Sequence, residues 1–237
     1  MPTALARPDG LIFDLDGTLV DTVRARIDGW VEALGAFGLA TTAGEVGPMI
    51  GMDGKRLAGE VARNAGRRPS IDELEAIDHA AGEAFDQRNR EPRPLPGVAD
   101  ALAATELCGA KWVIATSSRA AQVRGSVAAL GLAEAPVVVD GSSVEHAKPA
   151  PDLLLLAAKR LGVAPERCWA IGDSTWDARA AVAAAMQAVC VTAGSAVSAG
   201  DLVSAGATVV VPTLAALARL IEESCMPDEA RPDAASA

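Results

Sequence analysis

The chain has 237 residues and a formal net charge of −10, half of its residues are apolar, and only 3% are aromatic. That length can bury a full core, while an acidic balance with dispersed basic residues argues against nucleic acid or a membrane surface as partner. No apolar run approaches the roughly 18 residues of a membrane span and the first ten residues are too polar for a secretory signal, so a soluble, cytoplasmic protein is expected.

The first element is an apolar run, Leu11, Ile12, Phe13 and Leu15, interrupted and followed by two carboxylates, Asp14 and Asp16, and then by Gly17 and Thr18. Read as a short buried strand, it sends both carboxylates to the same side. Two anions at the end of a buried strand repel each other unless a cation neutralises one or one keeps a proton. Taken alone, the pair fits a turn and a strand-end cap just as well. A long helix is expected from Thr22 to about Phe37, with Val23, Ile27, Trp30, Val31, Leu34 and Phe37 on one face and Asp21 as its cap. Residues 39–93 show only helical patterns, and they close on EPRPLPG, whose prolines mark a hinge.

Beyond Gly97 helices and strands alternate strictly. Helices are expected over 98–107, 120–130, 152–161 and 177–185 and from Thr213. Strands are expected over 111–115, 136–139, 168–171, 188–191 and 208–211. This order predicts an α/β fold, a doubly wound parallel sheet with helices on both faces, carrying a small all-helical insertion. Residues 1–19 and 95–226 form the expected core domain and 20–94 the inserted one. Residues 227–237 read as a disordered tail. The four cysteines, Cys108, Cys168, Cys190 and Cys225, show no CxxC spacing and are expected as buried free thiols.

In such sheets ligands bind beyond the carboxyl ends of the strands. The residues there are Asp14 and Asp16, then Thr116, Ser117 and Ser118, then Lys148 in HAKPAPD, and finally Asp173 and Asp177. The oxygen ligands suit a hard cation such as Mg²⁺, with Asp14 and Asp173 as its direct side-chain ligands. With charge drawn to the metal, Asp14 can attack phosphorus as a nucleophile, and Asp16 can serve as general acid and base. Thr116 and the N–H groups of Ser117 and Ser118, opening a helix, can hold a phosphate. Lys148 can balance its charge. Each residue alone fits a cap or a solvated loop, but their joint order on successive strand ends favours phosphoryl transfer.

These segments resemble the haloacid dehalogenase-like hydrolase superfamily over nearly the whole chain. DLDGTLVDT is similar to its first motif, VIATSS to its second, Lys148 in KPAPD to its third and GDSTWDARAA to its fourth. The resemblance implies that Asp14 is the nucleophile and that Asp16 is the acid and base, its backbone carbonyl also meeting Mg²⁺. It implies that Thr116 and Lys148 hold phosphate, that Asp173 ligates the metal, and that Asp177 ligates it or orders its water. An aspartate at position 16 argues against halide removal. The helical insertion is similar to the mobile cap of the phosphoglycolate phosphatase and β-phosphoglucomutase branch. Within it, Gly51 and Gly54 could form a loop that brings Lys55 or Arg56 over the site, suiting a second anionic group such as a carboxylate. A basic helix start facing solvent fits those residues equally well.

The leading expectation is a Mg²⁺-dependent phosphatase acting on a small phosphorylated metabolite, as a monomer or weak homodimer. A sugar-phosphate mutase of the β-phosphoglucomutase kind is the first alternative. A phospho-ligand binding protein without turnover is the second.

Overall fold

A computed structural model describes residues 5–118 and 120–226. The expected tail, 227–237, lies outside the described residues. Six parallel strands form one sheet: β1 (Gly10–Phe13), β2 (Lys111–Ala115), β3 (Val138–Val139), β4 (Cys168–Gly172), β5 (Gln187–Val191) and β6 (Val209–Val211). Their spatial order is β3-β2-β1-β4-β5-β6. The chain lays β2 and β3 to one side of β1 and then returns to place β4 on the other. The order therefore reverses between β1 and β4, where doubly wound sheets open a ligand crevice.

The helices are α1 (Val23–Ala36), α2 (Ala43–Val46), α3 (Gly54–Asn64), α4 (Ile71–Arg88), α5 (Val98–Cys108), α6 (Ala120–Ala129), α7 (Asp152–Leu161), α8 (Thr175–Ala183), α9 (Ala199–Ser204) and α10 (Leu214–Cys225). Alternation along β1 divides the core. Leu11 and Phe13 pack with residues of α5 and α10 on one face, and Ile12 packs with α7 and α8 on the other. Helices α1 to α4 bury a third cluster of their own, including Trp30, Leu34, Leu57 and Ile77. The chain enters and leaves this insertion side by side. Leu95 N–H donates to the Leu19 carbonyl and Asp21 N–H to the Arg93 carbonyl, both at 2.9 Å.

Several boundaries differ from the expectation for local reasons. β3 covers only Val138–Val139, since Pro136 lacks the N–H that a ladder needs. α8 starts at Thr175, ahead of Asp177, because Ser174 and Asp177 form a reciprocal capping box. The same motif, Ser198 with Asp201, opens α9, a helix that the sequence reading leaves out. Thr22, not Asp21, stands before α1, and its side chain makes no cap bond to the helix.

The cysteine expectation is corrected in half. Cys168 and Cys190 are buried free thiols, but Cys108 and Cys225 form a disulfide across 117 residues of sequence. The packing of α10 on α5 brings the ends of these two helices together, which no local spacing announces. No helix among the described residues is long and apolar enough to cross a membrane.

Candidate active site

Asp14 follows β1 and Asp173 follows β4, so the order reversal places them side by side. Asp14, Asp173 and Asp177 are all buried and offer oxygens within 4.8 Å of one another. Gly17 makes the turn that closes this corner. It adopts φ +82°, and a Cβ there would run into the Asp173 carboxylate. Thr18 donates to Asp173 Oδ1 at 3.1 Å. Lys148, only 2% exposed, reaches in from the loop before α7. Its Nζ bonds to Asp14 Oδ1 and lies 2.6 Å from Asp177 Oδ1.

The electrostatics follow from this crowding. Burial pushes Asp14 up to about 7, against the pull of Lys148 and with the help of Asp177 and Asp16. Burial, with Asp177 and Asp14 adding to it, raises Asp173 well above the usual carboxylate range. Burial alone would lower Lys148, but Asp14 and Asp177 outweigh it and hold the ammonium charged. Three carboxylates thus share one buried cation, and all the crowded donors are oxygens. A hard divalent ion fits this donor set; Asp14 and Asp173 would hold it, and Asp177 is within reach.

Asp16 sits in a different environment. Burial would raise it, but Arg26 and hydrogen bonds from Ser118 and Thr22 prevail and lower its pKa. Arg26 Nη2 bonds to Asp16 Oδ2 at 3.0 Å, and Thr22 Oγ1 donates to Oδ1 at 2.8 Å. The Arg26 guanidinium is also stacked 3.9 Å from the centroid of the Phe85 ring. Thr116 is buried beside this group and its hydroxyl accepts from Ser118 N–H at 3.1 Å. Ser117 donates to the Gly51 carbonyl of the insertion at 3.3 Å. The expected helix begins at Ala120, so Ser117 and Ser118 lie in the turn before it.

A cavity of about 110 Å³ is bounded by Asp14, Asp16, Thr116 and Asp173 on the sheet side. Arg26, Trp30, Met52, Asp53 and Asp78 enclose it from the insertion. Lys55 and Arg56 are not among its lining residues. Lys55 pairs with Glu75 at 3.4 Å, and Arg56 lies over the Trp176 ring at 5.4 Å. Among the described residues the basic side chain from the insertion that does reach the carboxylates is that of Arg26, which the sequence does not single out. Its one signal is position, since Val23, Arg26, Ile27 and Trp30 share a helical face. Thr18 and Thr22 are likewise read only as part of the first motif or as a helix boundary.

The sequence matches the family model described as haloacid dehalogenase-like hydrolase over residues 8–185. The chain belongs to the haloacid dehalogenase-like hydrolases. This hydrolase is 32% identical over 191 residues to fructose-1-phosphate phosphatase YqaB of Escherichia coli strain K12, covering 76% of this chain and 94% of that protein. It is also 32% identical over 206 residues to phosphoglycolate phosphatase of the same strain, covering 78% and 81% respectively. Among solved structures, a hydrolase from Pseudomonas syringae aligns with a TM-score of 0.85 at 31% identity, over 90% of this chain and 98% of that one. The two relatives compared are both phosphatases, and the resemblance read from the four motifs holds at the level of family and fold.

Proposed function

We propose that this haloacid dehalogenase-like hydrolase is a Mg²⁺-dependent, cytoplasmic phosphatase that cleaves a small phosphomonoester through an aspartyl-phosphate on Asp14. The observation that carries this reading is the division of labour between two neighbouring carboxylates. Asp14 is grouped with Asp173, Asp177 and Lys148, whereas Asp16 is turned to Arg26, Thr22 and Ser118. One belongs with the reacting phosphorus and the metal, the other with a proton.

Bound Mg²⁺ would screen the anionic phosphoryl group and draw charge from its oxygens. A carboxylate oxygen of Asp14 then attacks phosphorus as the bond to the leaving oxygen breaks. Asp16, whose contacts with Arg26, Thr22 and Ser118 favour the ionised form, takes up a proton as substrate displaces those contacts and delivers it to that oxygen, so an alcohol departs in place of an alkoxide. In the second half Asp16 takes a proton from water, which attacks the phosphorus and frees Asp14. A positioned acid and base of this kind contributes roughly 10² to 10⁴ in rate. Thr116 and Ser117 supply hydroxyl donors, and Lys148 offsets negative charge as it builds on the equatorial oxygens. The helical insertion acts as a cap over the site, consistent with its side-by-side entry and exit segments and with the bond from Ser117 to Gly51.

The test is release of inorganic phosphate from a panel of phosphomonoesters. Turnover that needs Mg²⁺, stops with chelator and is lost in Asp14→Asn supports the reading. No phosphate from any ester, or full activity in Asp14→Asn, overturns it. Following glucose 1-phosphate by NMR closes the mutase alternative, because isomerisation without free phosphate contradicts hydrolysis.

A further inference from the structure

The four cysteines divide by position. Cys168 and Cys190 are buried within the central strands β4 and β5, and burial raises both thiols, Cys168 to about 11. Thiols held protonated in an apolar interior are inert. Cys108 and Cys225 lie instead at the C-terminal ends of α5 and α10, and Cys108 stands just before β2, at the sheet edge opposite Asp14.

The surroundings of the two bonded sulfurs differ. Among the described residues Cys225 is half-buried, with Glu222, Glu223 and Met226 exposed around it. Cys108 is buried and borders a cavity of about 350 Å³ that Arg7 and Lys111 also line. Arg7 Nη2 donates to the Cys108 carbonyl at 3.1 Å, and Lys111 Nζ donates to the Leu161 carbonyl at 2.9 Å. Asp9, the one acid among the described lining residues, is paired with Arg167. The bond thus has its more accessible sulfur at Cys225 and its more positive surroundings at Cys108.

The two helices stay aligned without the bond. At their N-terminal ends the backbones touch, since a Cβ on Gly97, just ahead of α5, would lie 2.8 Å from the Ala215 nitrogen. Along their length Ala101 and Leu102 pack with Leu217 and Ile221 in one apolar cluster. At their C-terminal ends the Cα atoms of Cys108 and Cys225 are 5.5 Å apart, inside the range that permits closure. Once opened, the two thiols remain within reach of each other, and closure is an intramolecular step. Neither direction requires the chain to unfold.

We propose that Cys108–Cys225 is an exchange site for a low-molecular-weight thiol, opened and closed in the folded protein, with Cys225 the sulfur attacked and Cys108 the sulfur released. The thiolate of the small molecule attacks Cys225 Sγ, the S–S bond breaks, and its electron pair leaves on Cys108 as a thiolate. Positive charge from Arg7 and Lys111 favours that departure. A second small thiolate then attacks the outer sulfur of the mixed disulfide and releases Cys225. The two protein thiolates take up the protons that the two small thiols gave up, so the protein bond is reduced as the small thiols are oxidised to one disulfide. The same steps reversed close the bond. Only the last turns of α10 lose a restraint, so the two folded forms differ in stability while the carboxylate site at the other sheet edge is unchanged. This exchange site is independent of the phosphatase reading.

The full chain, kept without denaturant in mixtures of reduced and oxidised glutathione, provides the test. Samples are quenched in acid, free thiols are trapped with maleimide, and peptides are mapped by mass. The expected result is a passage from two free thiols, Cys168 and Cys190, to four as the share of reduced glutathione rises. Added oxidised glutathione should reverse it, and early samples should carry glutathione on the Cys225 peptide. Arg7→Gln should slow opening about fivefold at low salt, the effect of one unit charge at close range in water. Hydrogen exchange in the open form should quicken in residues 218–225 and stay slow in the strands. A bond that resists glutathione until urea unfolds the chain overturns the proposal. So does glutathione found first on Cys108, an opening rate unmoved by Arg7→Gln, or protection lost throughout the sheet on opening.

Discussion

Among the described residues Lys148 is the one cation paired with Asp14 and Asp177, and removing it takes that partner from both. Breaking a buried pair from one side typically costs about 3–5 kcal/mol, so Lys148→Met should lower stability in urea by that order. Mg²⁺ should restore part of the loss, and a cost below about 1 kcal/mol would place Lys148 among surface ion pairs instead. The same crowding gives a pH dependence. Asp14 and Asp173 have raised values in the fold, so the folded state binds more protons than the unfolded chain above the ordinary carboxylate range. Stability should therefore fall as pH rises from about 4 through the raised values, with the full cost present above them. A metal needs the ionised ligands, so the rise in Tm on adding Mg²⁺ should be larger at pH 8 than at pH 5. An equal rise at both would detach the metal from these carboxylates. The grouping of Asp14, Asp173 and Lys148 at one sheet edge is readable from the order of apolar runs, because a parallel sheet aligns its strand ends. Arg26 is not, because its approach to Asp16 depends on how the insertion settles over the sheet.

At the scale of elements, Trp176 shows how α8 and the insertion are joined. It follows β4 in sequence yet packs within the insertion's apolar cluster. Its Nε1–H donates to the Pro48 carbonyl at 3.1 Å, and the guanidinium groups of Arg56 and Arg179 both lie over its ring. Trp176→Phe keeps most of the packing and loses that hydrogen bond, a cost of about 1 kcal/mol. Hydrogen exchange should quicken in residues 47–54 with little change elsewhere, whereas Trp176→Ala should cost about 3–5 kcal/mol. Unchanged exchange in that segment would mean that Trp176 does not hold the insertion down. The long helices and central strands are legible because their apolar periods extend over many residues. α9 and the start of α8 depend on short capping boxes, and β3 is an edge strand shortened by a proline; such local details sit below the reach of periodicity.

At the scale of the whole molecule, the Cys108–Cys225 bond ties the last helix to α5 and closes a loop of 117 residues. A closure of that length stabilises by up to roughly 4–5 kcal/mol in the chain-entropy account. Cys225→Ser should unfold at lower urea than the oxidised wild type, and reduced wild type should match the variant. Coincident curves for all three would exclude a stabilising bond. The same sheet order that gathers the carboxylates also sets the chemistry proposed for them, with Asp14 as the group that takes the phosphoryl. The most direct test is to mix enzyme, Mg²⁺ and a cleaved ester, quench in acid within one turnover, and map the peptides by mass. The account predicts one added phosphoryl group on the peptide containing Asp14, absent from Asp14→Asn. Phosphate released with no phosphoryl ever found on Asp14, or found on another residue, would contradict it.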